Sequence, residues 1–379
     1  MTDVFELPAE YLELQSAARE LAASCSDISA RADESDQVDP ETRARLKASG
    51  LARVMVPAEF GGRLGRVDSL AVTVVREALA YESAHLDSVF AMQGIGSYAV
   101  TVSAADNVRK EWLPRVASLD AIAALALTEP QVGSDLRSIS TTVEERSGAL
   151  IINGHKSFIT NAGDADFYSV LAREGDRFSL VFVPAATAGI TVKHPHQIIA
   201  PHVIGDVLFD GVSVPADHRL GVAGRGFRLM LETLATFRCS VAGAAVGLAQ
   251  GALDEALQHT TTREQFGAPL WKLGGVSASL ASSWIDIEMA RSLTYRAASA
   301  AARDPLANLH LSSMAKVAAT EAAGRVTDRC VQSMGRFGLI RGSKIERLYR
   351  DARPMRIYEG STEVIYDSLA RKLVKDHTS

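Results

Sequence analysis

Apolar residues recur at helical spacing from Pro8 onward, where Leu12, Leu14, Ala18, Leu21, Ala22, Cys25 and Ile28 predict a first helical run. Asp39-Pro40-Glu41 reads as an N-cap followed by proline at the first helical position, and Gly50 closes that short helix. A loop over 57–65 precedes a helical stretch at 68–83, with further helical stretches near 97–102 and 106–116. From about Leu119 the texture turns to strands. Leu150-Ile151-Ile152 runs into Asn153-Gly154, a short hairpin signal, and then into 155–160. Phe167–Arg173 and Phe178–Val183 flank Glu174-Gly175-Asp176, a second predicted hairpin, and Ile190–Lys193 and Val207–Val214 add further strands. After Gly226 helices return. Met230, Leu234, Phe237, Val241, Ala245, Leu248, Ala252 and Ala256 step by three or four along one seam. Two more long helices at 277–302 and 306–337, a loop, and a terminal helix after Ser361 complete the pattern. The expected fold is mainly α with a central β domain: an N-terminal helical domain (1–118), a middle antiparallel β domain (119–226) and a C-terminal helical bundle (227–379).

Composition narrows the partners. With 47% apolar and 22% charged residues among 379, the chain is neither disordered nor collagen-like, and long enough for two or three domains. The net charge is −5 and no long basic run exists, which argues against nucleic acid as a partner. Cys25, Cys239 and Cys330 lie far apart, as suits a reducing compartment. The acid-bearing start MTDVFELPAEYLEL is unlike a signal peptide, and uninterrupted apolar runs such as 121–127 fall short of the ~20 residues a membrane helix needs. A cytoplasmic protein without a membrane span is expected.

Common catalytic signatures are absent: no G-x-G-x-x-G after a strand, no Walker loop, no H-E-x-x-H, no G-x-S-x-G. Gly221-Val-Ala-Gly224-Arg-Gly226 has its glycines in the wrong order for a dinucleotide fingerprint and reads as a flexible junction. Ser313-Met-Ala-Lys316 matches S-x-x-K but sits in a predicted helix without companion motifs, a coincidence of helical spacing. His194, His196 and His202 cluster near prolines with no Cys or carboxylate at metal spacing, so they read as loop histidines and no metal is expected.

Five polar segments carry candidate chemistry, each with an ordinary structural alternative. Thr128-Glu129-Pro130…Gly133-Ser134-Asp135 is a capped turn or a ligand loop. Phe158 and Thr160, at i and i+2 on one strand face, end a strand or receive a planar ring. Arg263-Glu-Gln265-Phe266-Gly267 closes the long helix as a solvated end, or binds a pyrophosphate beside an aromatic ring. Gln332…Gly335-Arg336…Gly338 is a helix C-cap, or a close backbone approach to a ligand. In Ile357-Tyr358-Glu359-Gly360-Ser361-Thr362, Glu359 is either exposed before a Ser361 N-cap, or partly buried with the raised pKa that a base acting on a weak carbon acid requires.

In order and spacing these segments resemble the acyl-CoA dehydrogenase family over nearly the whole chain. The resemblance runs from Val56-Pro57-Ala-Glu59-Phe-Gly61-Gly62 through Leu127-Thr-Glu-Pro130, Ile152-Asn-Gly154-His-Lys156 and Val214-Pro215. It ends with Arg263-Glu-Gln-Phe266-Gly267, Arg350-Asp351 and Ile357-Tyr-Glu359-Gly360. The resemblance implies a helical domain, a β domain and a C-terminal four-helix bundle. It also implies non-covalent FAD, a homotetramer built as a dimer of dimers, and a place in fatty acid metabolism.

By position, Leu125, Leu127, Thr128, Gly133 and Ser134 would line the flavin, with Ser134 also near the CoA portion. Phe158 would lie against the isoalloxazine and Thr160 would hydrogen-bond near its reactive nitrogen. Arg263, Phe266, Gln332 and Gly335 would reach the FAD of a partner subunit, and Ser361 and Glu363 would touch the cofactor from the last helix. Arg238 and Gly360 match substrate positions, and 90–97 should help line the acyl pocket. Glu359 matches the catalytic base of an α,β-dehydrogenation of an acyl thioester, abstracting the α-proton as hydride passes to flavin N5. An electron-transfer flavoprotein is the implied acceptor. The sequence departs from the family at Arg336 and Ser361, at Ile198–His202, and at Ala235, where an aspartate is usual. The last departure makes an acyl-carrier-protein thioester an alternative to acyl-CoA. A flavin oxidase or monooxygenase on the same scaffold, with oxygen as acceptor, is the competing enzyme class.

Overall fold

A computed structural model describes residues 7–378. Residues 1–6, part of the acid-bearing start that is unlike a signal peptide, lie outside them. The described chain divides into two compact units, each assembled from discontinuous stretches.

One unit comprises residues up to 34, 69–87 and 235 onward. The helices that supply it are α1 (Ala9–Ser24), α2 (Ser26–Ala32), α4 (Ser69–Ala80), most of α7 (Gly226–Thr262), α8 (Gly274–Arg303), α9 (Leu309–Met334), α10 (Lys344–Met355) and α11 (Thr362–Thr378). Their core is small-residue-rich: Ala242, Ala245, Leu248, Ala249, Ala252, Ala297, Ala301, Ala319 and Ala323 are all essentially inaccessible. That composition permits close helix approach. It is closest where α7 crosses α4. A Cβ built on Gly243, Gly247 or Gly251 would stand 2.7, 1.9 and 2.4 Å from the carbonyl oxygens of Thr73, Glu77 and Tyr81 respectively. Glycines at i, i+4 and i+8 therefore receive backbone carbonyls at the same spacing. Helix α7 is long and apolar enough to cross a bilayer by length and composition, but 78% of its apolar window is buried within the protein. Packing in a core already accounts for that apolarity.

The other unit comprises 35–68 and 88–234. It holds α3 (Pro40–Ser49), most of α5 (Ala84–Ser103), α6 (Asp106–Ala117) and the strands β1 (Ala123–Ala126), β2 (Thr142–Arg146), β3 (Ala149–Thr160), β4 (Phe167–Glu174), β5 (Arg177–Pro184), β6 (Ile190–Lys193), β7 (Ile204–Pro215) and β8 (Arg219–Leu220). Asp39 caps α3 by accepting from Thr42 N at 2.8 Å, and Gly50 ends it at φ +69°, as its sequence predicts. The sheet order is β6-β7-β3-β2-β4-β5-β8, with β1 beside β4. Most pairs are antiparallel, but β1–β4 and β2–β4 run parallel. Trp112 of α6 packs edge-on against Phe167 and Phe182, seating that helix on the sheet.

Four expectations change. Asn153-Gly154 makes no hairpin: β3 runs straight through it with a register shift against β7, and the turn falls at Ser147-Gly148, φ +50° and +79°. Asn153 Oδ1 instead accepts from Gly211 N at 2.7 Å, and a Cβ on Gly154 would sit 2.3 Å from Thr141 Oγ1. Close packing, not a turn, requires that glycine. The 221–226 segment is no flexible junction, since Gly224 N donates to Ser179 Oγ at 2.9 Å and Arg225 bridges to Phe178. Helix α10 occupies most of the stretch expected as loop, burying Ile345, Leu348, Ala352 and Met355 along one stripe. Helix α5 starts at Ala84, well before the predicted 97–102.

Candidate active site

Glu359 lies in the short link between α10 and α11, in the left-handed region at φ +52°, followed by Gly360 at φ +99°. A side chain tolerates that conformation at a cost, so the surrounding contacts must hold it. Helix α9 supplies them. Lys316 Nζ donates to the Gly360 carbonyl at 2.7 Å. Glu321 Oε1 accepts from Arg356 Nε and from Thr362 Oγ1, both at 2.8 Å, tying the two ends of the link together. Ser361 also serves as the expected cap, with Val364 N donating to its Oγ at 3.5 Å.

The two alternatives for Glu359 resolve toward burial. Its Oε2 is buried and has no hydrogen-bond partner. Burial raises the carboxyl pKa above its ordinary value, opposed by the positive charges of Arg76, Arg238 and Lys316. Those cations come from three different helices. Arg76 of α4 forks onto Asp87 at 2.8 and 2.7 Å and donates to Ser240 Oγ at 3.0 Å. Burial works against its charge, but Asp87 holds its pKa above the ordinary value. Arg238 of α7 donates from Nη1 to Ser313 Oγ at 3.0 Å, while its Nε is buried without a partner. Burial lowers the Arg238 pKa, with Glu359 resisting. Lys316, fully inaccessible, is brought down to about 8 by burial against the pull of Glu359. An acid with an unpaired oxygen among three cations, two of them buried, can take up a proton and return it, which is what a general base needs.

In the sheet unit, the predicted ring-binding residues cluster around the end of β3. Ser157 N donates to Thr128 O at 2.9 Å and Thr128 Oγ1 to the Ser157 carbonyl, fastening the 128–135 loop to the strand. Beneath them Lys156 Nζ meets Glu129 Oε1 at 3.0 Å and the Leu127 carbonyl at 2.9 Å, wholly buried. A bulge between Lys156 and Ile159 puts Phe158 at φ +55° and leaves that residue 51% exposed, while Ser157 and Ile159 are buried. Thr160, Leu125, Leu127 and Thr128 are half-buried, and Gly133 and Ser134 are exposed. A half-open aromatic beside hydroxyls and apolar side chains fits an uncharged planar heterocycle. Two histidines that the sequence reads as loop residues join this cluster. His196 stacks on Phe158 with centroids 4.4 Å apart and 14° between planes, and His202 Nε2 lies 3.4 Å from Thr160 Oγ1. Their separation from β3 in sequence gave no spacing signal for these contacts. Among the described residues no group of three His, Cys, Asp or Glu side chains could hold a metal.

Arg263, Phe266, Gln332 and Gly335 gather elsewhere on the helical unit, near the C-terminal ends of α7 and α9. The Arg263 guanidinium lies over the Phe337 ring at 5.5 Å, and Arg336 over the same ring at 5.2 Å. Phe266 is 93% exposed, at φ +54°, and Gln332 and Gly335 are also exposed. Glu363 is exposed in the first turn of α11.

Three family models match consecutive parts of the chain. The acyl-CoA dehydrogenase N-terminal domain covers residues 8–120, the middle domain 124–212 and the C-terminal domain 224–374. A probable acyl-CoA dehydrogenase of Mycobacterium tuberculosis is 32% identical over 98% of this chain and 97% of its own length. The short-chain specific acyl-CoA dehydrogenase of Sus scrofa is 30% identical over 99% of this chain and 92% of its own. The solved butyryl-CoA dehydrogenase from Megasphaera elsdenii superposes with a TM-score of 0.93 at 27% identity, over 98% of this chain and 100% of that one.

Proposed function

Since the chain belongs to the acyl-CoA dehydrogenase family, we propose that it is an oxidoreductase carrying out FAD-dependent α,β-dehydrogenation of an acyl thioester, with Glu359 as the base. The observation that carries this reading is the buried, unpartnered Oε2 of Glu359 among Arg76, Arg238 and Lys316. FAD, when bound, supplies a hydride acceptor. The residues that would hold it are Leu125, Leu127, Thr128, Gly133, Ser134, Phe158, Thr160, Ser361 and Glu363, with Arg263, Phe266, Gln332 and Gly335 serving a second copy of the chain. Phe158 would bind the ring through its open face, and the Thr160 hydroxyl would orient it by hydrogen bonding.

Glu359 takes the α-proton of the thioester. Burial makes its carboxylate basic enough to do so, while the three cations keep it ionised before the proton arrives. The left-handed turn at Glu359 and Gly360 holds the carboxylate and the neighbouring backbone amide in fixed relation, so the amide can donate to the thioester carbonyl as negative charge develops there. Arg238 and Gly360 would line the substrate, and Ser134 would serve its carrier end.

Several exposed apolar side chains suit a homotetramer built as two dimers. Trp284, Ile285 and Met289 on α8 are 62, 58 and 60% exposed, and Leu339 after α9 is 73% exposed. An electron-transfer flavoprotein is the proposed acceptor, the cytoplasm the proposed compartment and fatty acid metabolism the proposed setting. Ala235 is buried and offers no carboxylate where the family usually has one, which keeps an acyl-carrier-protein thioester open as the substrate beside acyl-CoA.

The test is anaerobic mixing of the flavin-loaded protein with a panel of CoA and carrier-protein thioesters, read as bleaching of flavin absorbance. Wild type should bleach with at least one of them. Glu359→Gln should keep its flavin and lose bleaching by about 10²–10⁴-fold, the usual worth of a positioned base. Undiminished bleaching in Glu359→Gln would remove that residue from its role.

A further inference from the structure

The sequence matches S-x-x-K at Ser313 and Lys316 on α9, a pattern that the dehydrogenation chemistry itself does not use. Both side chains nevertheless meet the Glu359 cluster. They are one helical turn apart, so they share a face of α9. Ser313 Oγ accepts from Arg238 Nη1 at 3.0 Å, and Lys316 Nζ donates to the Gly360 carbonyl at 2.7 Å. Lys316 is completely buried, and a buried ammonium needs a compensating partner. A carbonyl satisfies one of its N–H groups, and the negative charge of Glu359 compensates the ion.

Resting on the proposed role of Glu359, we infer that Lys316 is a positioning residue for it: its ammonium clamps the Gly360 carbonyl, holding the left-handed turn, and keeps the neighbouring carboxylate ionised. Ser313 assists by fixing the Arg238 guanidinium. The ionisable and charged groups acting on Glu359 are Arg76 on α4, Asp87 on α5, Arg238 on α7 and Lys316 on α9. Tyr358 and Cys239 also interact with it, and Glu321 and Glu363 act on Lys316. Arg76 is committed to Asp87 by a two-pronged ion pair, whereas Lys316 has no such carboxylate partner within hydrogen-bonding distance. Its charge is therefore available to Glu359. Burial brings the Lys316 pKa to about 8, so the cation is retained at neutral pH and lost above that value.

The experiment compares wild type, Lys316→Met and Lys316→Gln as flavin-loaded proteins, with Glu359→Gln as the reference. Infrared difference titration follows the protonated carboxyl of Glu359, assigned as the band missing in Glu359→Gln, and needs no substrate. Loss of an adjacent cation stabilises the neutral acid, so the midpoint should rise by about one pH unit in Lys316→Met. The acidic limb of the bleaching rate should rise with it, with kcat falling more than KM changes. Lys316→Gln retains an amide N–H for the Gly360 carbonyl but no charge; it should show the same midpoint shift with a smaller loss of kcat, and it carries the test if the methionine variant does not fold. A purely structural role would lower the yield or flavin content and leave the midpoint unmoved. An unchanged midpoint in a folded neutral variant overturns the inference. A shifted midpoint in a protein whose wild type bleaches with no thioester supports the electrostatic role of Lys316 and overturns the proposed reaction instead.

Discussion

Replacing Gly247 with alanine probes the tightest contact between α4 and α7. The added Cβ would lie 1.9 Å from the Glu77 carbonyl oxygen and 2.7 Å from its carbon, where an ordinary contact is no closer than 3.4 Å. Both sides of the clash are helix backbone, so no rotamer change relieves it and the helices must separate by roughly 1.5 Å at that level. Overpacking costs about 1–3 kcal/mol, and the absence of a flexible partner favours the upper end. Alanine returns about 1 kcal/mol through its better helix propensity. The net loss is then about 2 kcal/mol, roughly a 30-fold shift in the unfolding equilibrium. Alanine at Gly251 and Gly243, whose nearest carbonyls are 2.4 and 2.7 Å from a Cβ, should cost successively less. Gly324→Ala is the control: its Cβ meets only Arg356 Cδ at 3.7 Å, so it should be neutral or stabilising by up to about 1 kcal/mol. Urea unfolding of the four variants measures the series. The separation also reaches the site, because Arg76 on α4, one of the cations acting on Glu359, donates to Ser240 on α7. Gly247→Ala should therefore slow flavin bleaching as well. A Gly247→Ala protein as stable as wild type, or a Gly324→Ala protein that is less stable than Gly247→Ala, would refute the packing account.

Two further outcomes follow from buried charges. Hydrogen bonds from Ser140 and Thr141, with Lys156 nearby, overcome burial and hold the Glu129 pKa to about 2, below its ordinary 4.5. A carboxyl lowered on folding contributes stability above pH 4.5 that is lost as pH falls toward 2. Glu129→Gln should flatten that acid limb in a pH series of urea unfolding. It should also cost about 3–5 kcal/mol at pH 7 by stranding the Lys156 ammonium. Burial lowers Lys156 to about 8, so this deficit should shrink by pH 9, and a deficit that stays constant from pH 7 to 9 would contradict the ion-pair explanation. Asp351 behaves in the opposite sense: burial, then the nearby Asp33, raises its pKa, and its Oδ2 has no partner. A raised acid binds its proton in the folded state, so stability falls as pH rises through the folded value. Asp351→Asn should remove that fall, and wild-type and variant stabilities that stay parallel as pH rises above the ordinary 3.8 would count against it.

Local patterns were legible wherever a short stretch decides its own conformation. The Asp39 cap, the Gly50 stop, the Gly175-Asp176 hairpin and the presence of α7, α8 and α9 follow from period, capping and turn chemistry, although α8 begins three residues earlier than expected and α9 spans only 309–334 of the expected 306–337. The order of the polar segments likewise pointed to the family. Asn153-Gly154 misled because the same dipeptide serves a turn or a tight crossing, and only Thr141, just before β2, selects between them. Helix α10 was hidden by its charges, although Ile345, Leu348, Ala352 and Met355 kept a helical period.

The sequence by itself determined the alternation of helical and strand regions, the helix caps and the identity of Glu359 as a candidate. Whether that carboxyl faced water or protein was decided only in three dimensions, where Arg76, Arg238 and Lys316 arrive from α4, α7 and α9. A glutamate's chemistry depends on lost water and on nearby charge. Both are set by residues remote along the chain, so no local spacing could state them.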